Sequence, residues 1–258
     1  MNTELDKINK WIQVNKLSLN LNKTNFMIFK GRKNIASMPK IIMNDVEISC
    51  IEKSKLLGVI IDDKLTWIHH IDHSCKKISK SIGIMYKLRK FLDTRSMINM
   101  YYCFVYPYLQ YCNEVWGNAY STHLNRIKLL QKRVIRVIAN VDRYYHTDAL
   151  FTRFKILKFQ HINHYMIGQI MYKAFMKSLP EPVQSIFVMN ETIYDYDTRQ
   201  RNNFHLPKPK SNLLRKTVAF KGVIIWKYIR DNIDINCSYA CFKQRLKCTL
   251  LVMEKEMY

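Results

Sequence analysis

Hydrophobic and polar positions follow two different patterns along this chain, and the change falls near residue 66. Within 4–13, apolar side chains recur at helical spacing, which predicts a short amphipathic helix. Asn44-Asp45 lies between two apolar segments and predicts a hairpin turn. Four short, β-prone segments predict strands: 24–29, 40–43, 46–51 and 55–61. The first part of the chain is therefore expected to mix helix and strand.

Beyond Trp67 the spacing becomes helical, and cations collect opposite the apolar residues. The core face of the first predicted helix carries Ile71, Cys75, Ile78, Ile82, Met85 and Tyr86. Its opposite face carries Lys76, Lys80, Lys87 and Lys90. A second amphipathic helix is predicted over 122–139, with Leu124, Ile127, Leu130, Val134, Val137 and Ile138 on one side. Its cationic side carries Lys128, Lys132, Arg133 and Arg136.

The remaining sequence also favours helices. Segment 95–117 predicts a buried helix interrupted by Pro107, and 162–177 predicts another helix. Turn formers and charges in 195–209 indicate a boundary before a small helical unit. The predicted class is α+β, with a small mixed part followed by a mainly helical part and a small helical tail. The expected division is 1–66, 67–180, a linker at 181–210, and 211–258.

Charge favours a polyanionic partner. Lysine and arginine number 42 against 20 aspartate and glutamate, a net charge of +22. Nucleic acid is the first candidate, and the alternatives are an anionic membrane surface or an ordinary solvated basic surface. The odd number of cysteines, seven, and the polar start without a leader favour an intracellular protein with reduced thiols. The nucleus and the cytoplasm both remain open as locations.

No segment predicts a metal site or a complete catalytic set. Asp62-Asp63 has the carboxylate pair of a polymerase but lacks the preceding aromatic residue, and its position before KLTW favours a turn or helix cap. Cys237, Cys241 and Cys248 lack a fourth zinc ligand, and their spacing favours buried thiols in a helix. The histidines of His69-His70 and His73 lack the glutamate of a zincin motif.

Several blocks in a fixed order resemble the reverse transcriptases of LINE-like, jockey-type non-LTR retrotransposons. The family's last palm segment is similar to INKWIQVNKLSLNLNKTNFMIFK at 8–30, and the start of its thumb to IEKSKLLGVIIDDKLTWIHHI at 51–71. Later thumb blocks resemble YPYLQYCNEVWG, IKLLQKRVIRVI and LFTRFKILKFQHI. The tail resembles TRQRNNFHLPKPK, FKGVIIWKYI and FKQRLK. The resemblance covers nearly the whole chain.

This resemblance implies an RNA-directed DNA polymerase whose catalytic aspartates, fingers and most of the palm lie upstream of Met1. The implied parts are the palm end at 1–66, the thumb at 67–180 and the tail at 211–258. Lys23 matches a palm-motif lysine near the incoming nucleotide, a role that is latent here. No cofactor is expected in this chain, and Mg²⁺ is expected only for the intact parent enzyme.

The expected function is binding of the RNA/DNA template–primer duplex by the cations of the two thumb helices. We expect no catalysis by this chain alone and no membrane partner. The eight candidate residues are Lys76, Lys80, Lys87, Lys90, Lys128, Lys132, Arg133 and Arg136. The alternatives are a relic without function, a domesticated nucleic-acid-binding module, and a basic helical protein of membrane surfaces or protein interactions.

Overall fold

The computed structural model of the protein describes residues 2–29, 39–44, 46–195 and 201–253. The chain divides into two compact units, Met1–His70 and Ile71–Tyr258. The first unit contains short strand pairs, and the second consists mainly of helices. The predicted α+β class with a helical bulk is confirmed. The finer predicted division of the helical part stays a prediction.

The first unit is built from one helix and short strands. Its elements are α1 (Asn2–Val14), a 3₁₀ turn (Leu21–Lys23), β1 (Asn25–Phe26), β2 (Ile42–Met43), β3 (Val46–Glu47), β4 (Ser49–Cys50), β5 (Lys53–Leu56) and β6 (Val59–Asp62). The predicted hairpin is confirmed, because β2 and β3 pair antiparallel around Asn44, whose φ of 50° suits a tight hairpin turn. β1 pairs parallel with β4. Ile41, Met43 and Ile48 form the buried core of this unit.

The predicted single strand over 55–61 is wrong. The structure has an antiparallel hairpin there, with Leu56 opposite Val59 across a two-residue turn. Leu57 and Gly58 take φ values of 46° and 90°, and glycine adopts such a backbone at little cost. An apolar run that looks continuous in sequence therefore reverses direction at its glycine.

The second unit is helical. Its helices are α2 (Ile68–Leu88), α3 (Thr94–Phe104), α4 (Tyr106–Gln110), α5 (Asn113–Trp116), α6 (Ser121–Ala139), α7 (Asp148–Arg153), α8 (Phe159–Phe175), α9 (Glu181–Gln184), α10 (Val218–Asn232) and α11 (Tyr239–Val252). The first three residues of α2 belong to the first unit. No helix in the described part of the chain is long and apolar enough to cross a membrane.

The helix predicted over 95–117 is interrupted near Pro107, as expected, but a further break divides the segment into three helices. The chain turns at Val105, and Pro107 lies in the first turn of α4, where its missing N–H costs nothing. A second turn follows at Cys112, which has a left-handed backbone with φ of 49°. Pro107 therefore lies in the first turn of the helix that follows the interruption.

Helix α8 lies at the centre of the second unit and packs against α4, α5, α6, α10 and α11. Its residues are buried on several sides, as expected for a helix that is apolar all round. Gly168 permits the close approach of α10 and α11, since a Cβ there would lie 2.8 Å from side-chain carbons of both Ile229 and Leu246. Trp226 and Phe242 complete this core and are almost fully buried.

Candidate nucleic-acid interface

Helix α2 separates apolar from cationic side chains as its sequence predicts, with one exception. Ile71, Cys75, Ile78, Ile82 and Met85 are buried. Lys76, Lys80 and Lys87 are exposed, and Lys90, also exposed, lies two residues beyond the end of the helix. Tyr86 was predicted on the core face, but it is 54% exposed, so that prediction is wrong. It follows Met85 at the edge of the apolar face, where helix rotation turns its ring toward solvent.

Helix α6 buries a stripe that includes one polar residue. Leu124, Ile127, Val134, Val137 and Ile138 are buried as predicted, and Ile135 and Gln131 are buried as well. Leu130, predicted for this face, is only half-buried. Arg126 at the edge of the stripe forms an ion pair with Asp72 of α2, which joins the two helices on their outer side.

Two of the candidate lysines line a groove beside α7. Lys128 and Lys132 lie there with Lys158, in a space of about 420 Å³ that also contains Asp148. Lys158 Nζ contacts Asp148 Oδ1 at 2.6 Å. The hydrogen bond from Lys158, followed by the charges of Lys158 and Lys132, holds the pKa of Asp148 below its ordinary value against the effect of partial burial. Asp148 therefore neutralises part of the positive charge of this groove.

Two other candidates line a second groove, of about 790 Å³, between the end of α2 and α6. We call it the arginine groove and define it by Tyr86, Arg89, Leu129, Arg133, Arg136, Val137, Val141, Asp142 and Arg143. It contains four guanidinium groups and one carboxylate, so its net charge is positive. Guanidinium groups form bidentate hydrogen bonds with phosphate, which makes this groove the best-developed anion site among the candidates.

Sequence analysis missed Arg89, Arg143 and Lys158. On the helical wheel Arg89 falls toward the apolar side, but it lies beyond Leu88, the last residue of α2. Arg143 belongs to the loop after α6, and Lys158 immediately precedes α8. The sequence shows that these residues are positively charged. Their position beside α6 depends on turns between helices, which helical periodicity does not predict. The other four candidates, Lys76, Lys80, Lys87 and Lys90, line neither of the two grooves.

Asp62 is a structural cap, as its sequence context predicts. Its Oδ2 accepts hydrogen bonds from the backbone N–H and the hydroxyl of Thr66, at 2.8 and 2.9 Å, and Oδ1 accepts from the backbone N–H of Trp67 at 2.8 Å. Burial raises the pKa of this carboxyl, but the hydrogen bonds outweigh burial and hold the pKa below its ordinary value. Both oxygens are thus engaged with the turn that leads into α2.

Among the described residues, no group of three or more histidines, cysteines and acids is placed to hold a metal ion. The predicted burial of the three C-terminal cysteines is wrong, since Cys237 and Cys241 are half-buried and Cys248 is exposed. The buried stripe of α11 is formed by Phe242, Leu246 and Leu250, which leaves the cysteines to one side.

Two further sequence candidates lie in the first unit. His70 is buried, and its Nδ1 accepts a 3.4 Å hydrogen bond from the backbone N–H of Ile60. This histidine therefore contributes to packing. Lys23 ends the 3₁₀ turn and is exposed. Its latent polymerase role stays a prediction.

Comparison with known proteins shows which proteins the chain is similar to. The chain is 30% identical over 157 residues to the RNA-directed DNA polymerase from mobile element jockey of Drosophila funebris, which covers 60% of this chain and 17% of the relative. It is 23% identical over 153 residues to the probable RNA-directed DNA polymerase from transposon X-element of Drosophila melanogaster, covering 58% of the chain and 17% of that relative. The chain is a distant homologue of non-LTR retrotransposon reverse transcriptases.

This reverse-transcriptase homologue therefore matches only a small part of each relative, about a sixth of its length. A third relative, the probable polymerase from transposon BS of Drosophila melanogaster, is 28% identical over 104 residues, which are 38% of this chain and 11% of the relative. No protein-family model matches the chain. No solved structure matches it either.

Proposed function

We propose that this chain acts as the thumb of a non-LTR retrotransposon reverse transcriptase and binds the template–primer duplex through outward-facing cations of α2 and α6. The observation that carries the proposal is the combination of its similarity to these polymerases and the solvent-accessible cations of both helices. The candidate lysines at α2 and Arg133 of α6 are exposed, and the other three candidates of α6 are half-buried. A thumb must hold a duplex of any sequence, so it requires contacts to phosphates and none to base edges.

The two helices meet this requirement in different ways. The lysines of α2 are solvent-exposed point charges that can follow a phosphate backbone, whereas Lys128 and Lys132 of α6 lie in a groove. The ion pair between Arg126 and Asp72 fixes one helix against the other without using any of the eight candidate cations. Both faces are therefore available to an anionic ligand.

We expect no polymerase activity from this chain alone. Polymerases hold two metal ions with neighbouring carboxylates, and both oxygens of Asp62 already accept hydrogen bonds from the turn at Thr66 and Trp67. A primer-extension assay on a primed RNA template tests this directly. Incorporation of nucleotides that persists after repeated purification would contradict the expectation.

Binding of a fluorescein-labelled RNA–DNA hybrid, measured by anisotropy across a potassium chloride series, tests the duplex contact. If about five cations contact phosphates, the logarithm of the affinity falls with the logarithm of salt concentration with a slope of about −4.5. Replacing Lys76, Lys80, Lys87 and Lys90, the candidate lysines of α2 and of the turn after it, by glutamine should reduce the magnitude of this slope by up to about 3.6. A slope near zero for the unaltered chain would contradict the proposal.

A charge-matched control separates position from net charge. The control variant replaces four exposed lysines of the first unit by glutamine: Lys10, Lys40, Lys53 and Lys64. We expect it to keep a slope close to that of the unaltered chain. Equal losses in both variants would mean that net charge alone attracts the duplex. Binding to phosphatidylserine vesicles without binding to the hybrid would favour the membrane-surface alternative.

A further inference from the structure

The arginine groove differs from the lysine face of α2 because aromatic rings accompany its cations. The guanidinium of Arg89 lies over the ring of Tyr86, 4.1 Å from its centroid. The guanidinium of Arg143 lies 5.0 Å from the ring centroid of Tyr144. Tyr86 is 54% exposed and Tyr144 is 77% exposed. Each pair thus presents a cation and an accessible aromatic ring together.

Local hydrogen bonds fix the loop that carries Arg143 and Tyr144. Helix α6 ends at Ala139, and the next residue, Asn140, turns the chain with a left-handed backbone. The N–H of Val141 donates a hydrogen bond to the carbonyl of Arg136 at 3.2 Å. The carboxylate of Asp142 accepts the backbone N–H of Tyr144 at 2.9 Å. Because these contacts are formed within the chain, the loop does not need a ligand to acquire its shape.

Arg136 ties the loop to the helix. Its Nε donates a 2.8 Å hydrogen bond to the carbonyl of Tyr145, and its side chain lines the groove. A guanidinium has five N–H donors, so this bond leaves capacity for an anion. The single carboxylate of the groove, Asp142, is already engaged by the loop. The groove is therefore a positive, preformed cleft with apolar contact surface from Leu129, which is 65% exposed.

We infer that the arginine groove binds single-stranded nucleic acid, with its guanidinium groups on phosphates and with Tyr86 and Tyr144 stacked against unpaired bases. The inference rests on the proposed function in taking nucleic acid as the ligand, but it assigns a second site, which shares Arg133 and Arg136 with the eight candidate cations. Bases within a duplex are stacked on one another and cannot reach a ring on a protein surface, whereas unpaired bases can. Exposed rings beside a positive cleft are the combination that proteins use for single strands.

The test uses the full chain with fluorescein-labelled oligodeoxythymidine, and the RNA–DNA hybrid as the reference ligand. Tyr144→Ala should weaken single-strand binding about tenfold, whereas Tyr144→Phe keeps the ring and should keep the affinity. Affinity for the hybrid should change less than about twofold in both variants. Tyr144 borders the groove through its contact with Arg143. Tyr111→Ala is the control, because Tyr111 is also 50% exposed but lies in the turn after α4, which contributes no residue to the groove.

A second measurement detects stacking itself. An oligonucleotide that carries 2-aminopurine loses fluorescence when this base stacks on an aromatic ring. We expect quenching with the unaltered chain and with Tyr144→Phe, and a clear loss of quenching with Tyr144→Ala. Arg89→Gln and Arg143→Gln should each reduce the magnitude of the salt slope for the single strand by about 0.7.

The outcomes separate the two claims. If the chain binds the hybrid with a steep salt slope but Tyr144→Ala changes neither single-strand affinity nor quenching, the groove inference is wrong and the proposed function stands. If the chain binds neither ligand, both are wrong. If the glutamine variant of the α2 lysines loses hybrid binding and keeps single-strand binding, two sites are supported.

Discussion

The side-chain amide of Gln131 donates a 2.9 Å hydrogen bond to the hydroxyl of Tyr101, and both side chains are buried. The same amide donates to the carbonyl of Leu157, and its oxygen accepts from the backbone N–H of Phe159. One side chain of α6 therefore satisfies polar groups of α3 and of the segment that begins α8. The helix that carries the arginine groove is fixed in place by this contact as well as by apolar packing.

Replacing Gln131 by leucine is expected to lower the free energy of unfolding by about 2–4 kcal/mol, because three buried polar groups lose their partner while the volume changes little. Denaturant unfolding followed by circular dichroism measures the loss. Gln244→Leu, at an exposed position of α11, is the matched control and should stay within about 0.5 kcal/mol. Equal effects in the two variants would show that the hydrogen bonds of Gln131 contribute little.

The helices and their cationic faces could be predicted from sequence because both follow from local periodicity. Lys76 and Lys80 are exposed opposite Ile78 and Ile82, as a helix with a period of 3.6 residues requires. Helical periodicity does not predict the burial of Gln131. This residue occupies an apolar position of α6, and its burial depends on partners 26 to 30 residues away in the chain.

The grooves could not be predicted for the same reason. Arg133 and Arg136 were found by periodicity, but their neighbours Arg89 and Arg143 come from the two segments at which helices end. Sequence spacing places residues along one element, whereas a groove depends on how separate elements meet. The hairpin at Leu57-Gly58 is a different case, because the sequence contains a turn signal there. The glycine inside the apolar run indicates a possible turn, whereas the apolar residues around it favour one continuous strand.

Asp62→Asn should destabilise the first unit by about 1–2 kcal/mol at neutral pH, since an amide has one acceptor oxygen where the carboxylate uses two. The folded pKa of Asp62 is lowered. Its contribution is therefore fully present above the unfolded pKa, about 4, and is lost as the pH falls through the folded pKa. Thermal unfolding from pH 7 down to acid should show this loss in the unaltered chain and a smaller loss in the variant.

Asp63→Asn is the control for this prediction because it removes the same charge at the neighbouring residue. It should change the free energy of unfolding by less than about 0.5 kcal/mol. A variant of Asp62 as stable as that of Asp63 at every pH would refute a capping role.

Because of His164, the second unit should become less stable as the pH falls below the ordinary pKa of histidine. Burial, then the charges of His161 and Lys221, lower the pKa of His164 to about 4. The unfolded chain binds a proton below about pH 6.5 that the folded chain excludes, which costs about 2 kcal/mol between pH 6.5 and 5. Denaturant unfolding at both pH values measures this loss.

His164→Gln should show less of this pH dependence, whereas His146→Gln, at an exposed position, should retain it. Nuclear magnetic resonance titration of the imidazole gives an independent measurement. A His164 signal that titrates near pH 6.5 would contradict the predicted exclusion of the proton.

Gly117 and Gly83 should respond in opposite directions to the same substitution by alanine. A Cβ at Gly117 would lie within 2.6 Å of atoms of Asn113 and Asn163, which are joined by a 2.9 Å hydrogen bond from Asn163 Nδ2 to Asn113 Oδ1. Gly117→Ala must displace these buried side chains and should lower the free energy of unfolding by about 1–3 kcal/mol. A Cβ at Gly83 meets no described atom within 4 Å.

Gly83→Ala should therefore raise the free energy of unfolding by about 0.5–1 kcal/mol, because alanine loses less backbone entropy than glycine when α2 forms. The pair serves as its own control, since the chemical change is identical and only the surroundings differ. Denaturant unfolding of both variants under one condition gives the two signs directly. Stabilisation by Gly117→Ala would mean that α5 and α8 can separate without cost, and the close contact between Asn113 and Asn163 would then not be a source of stability.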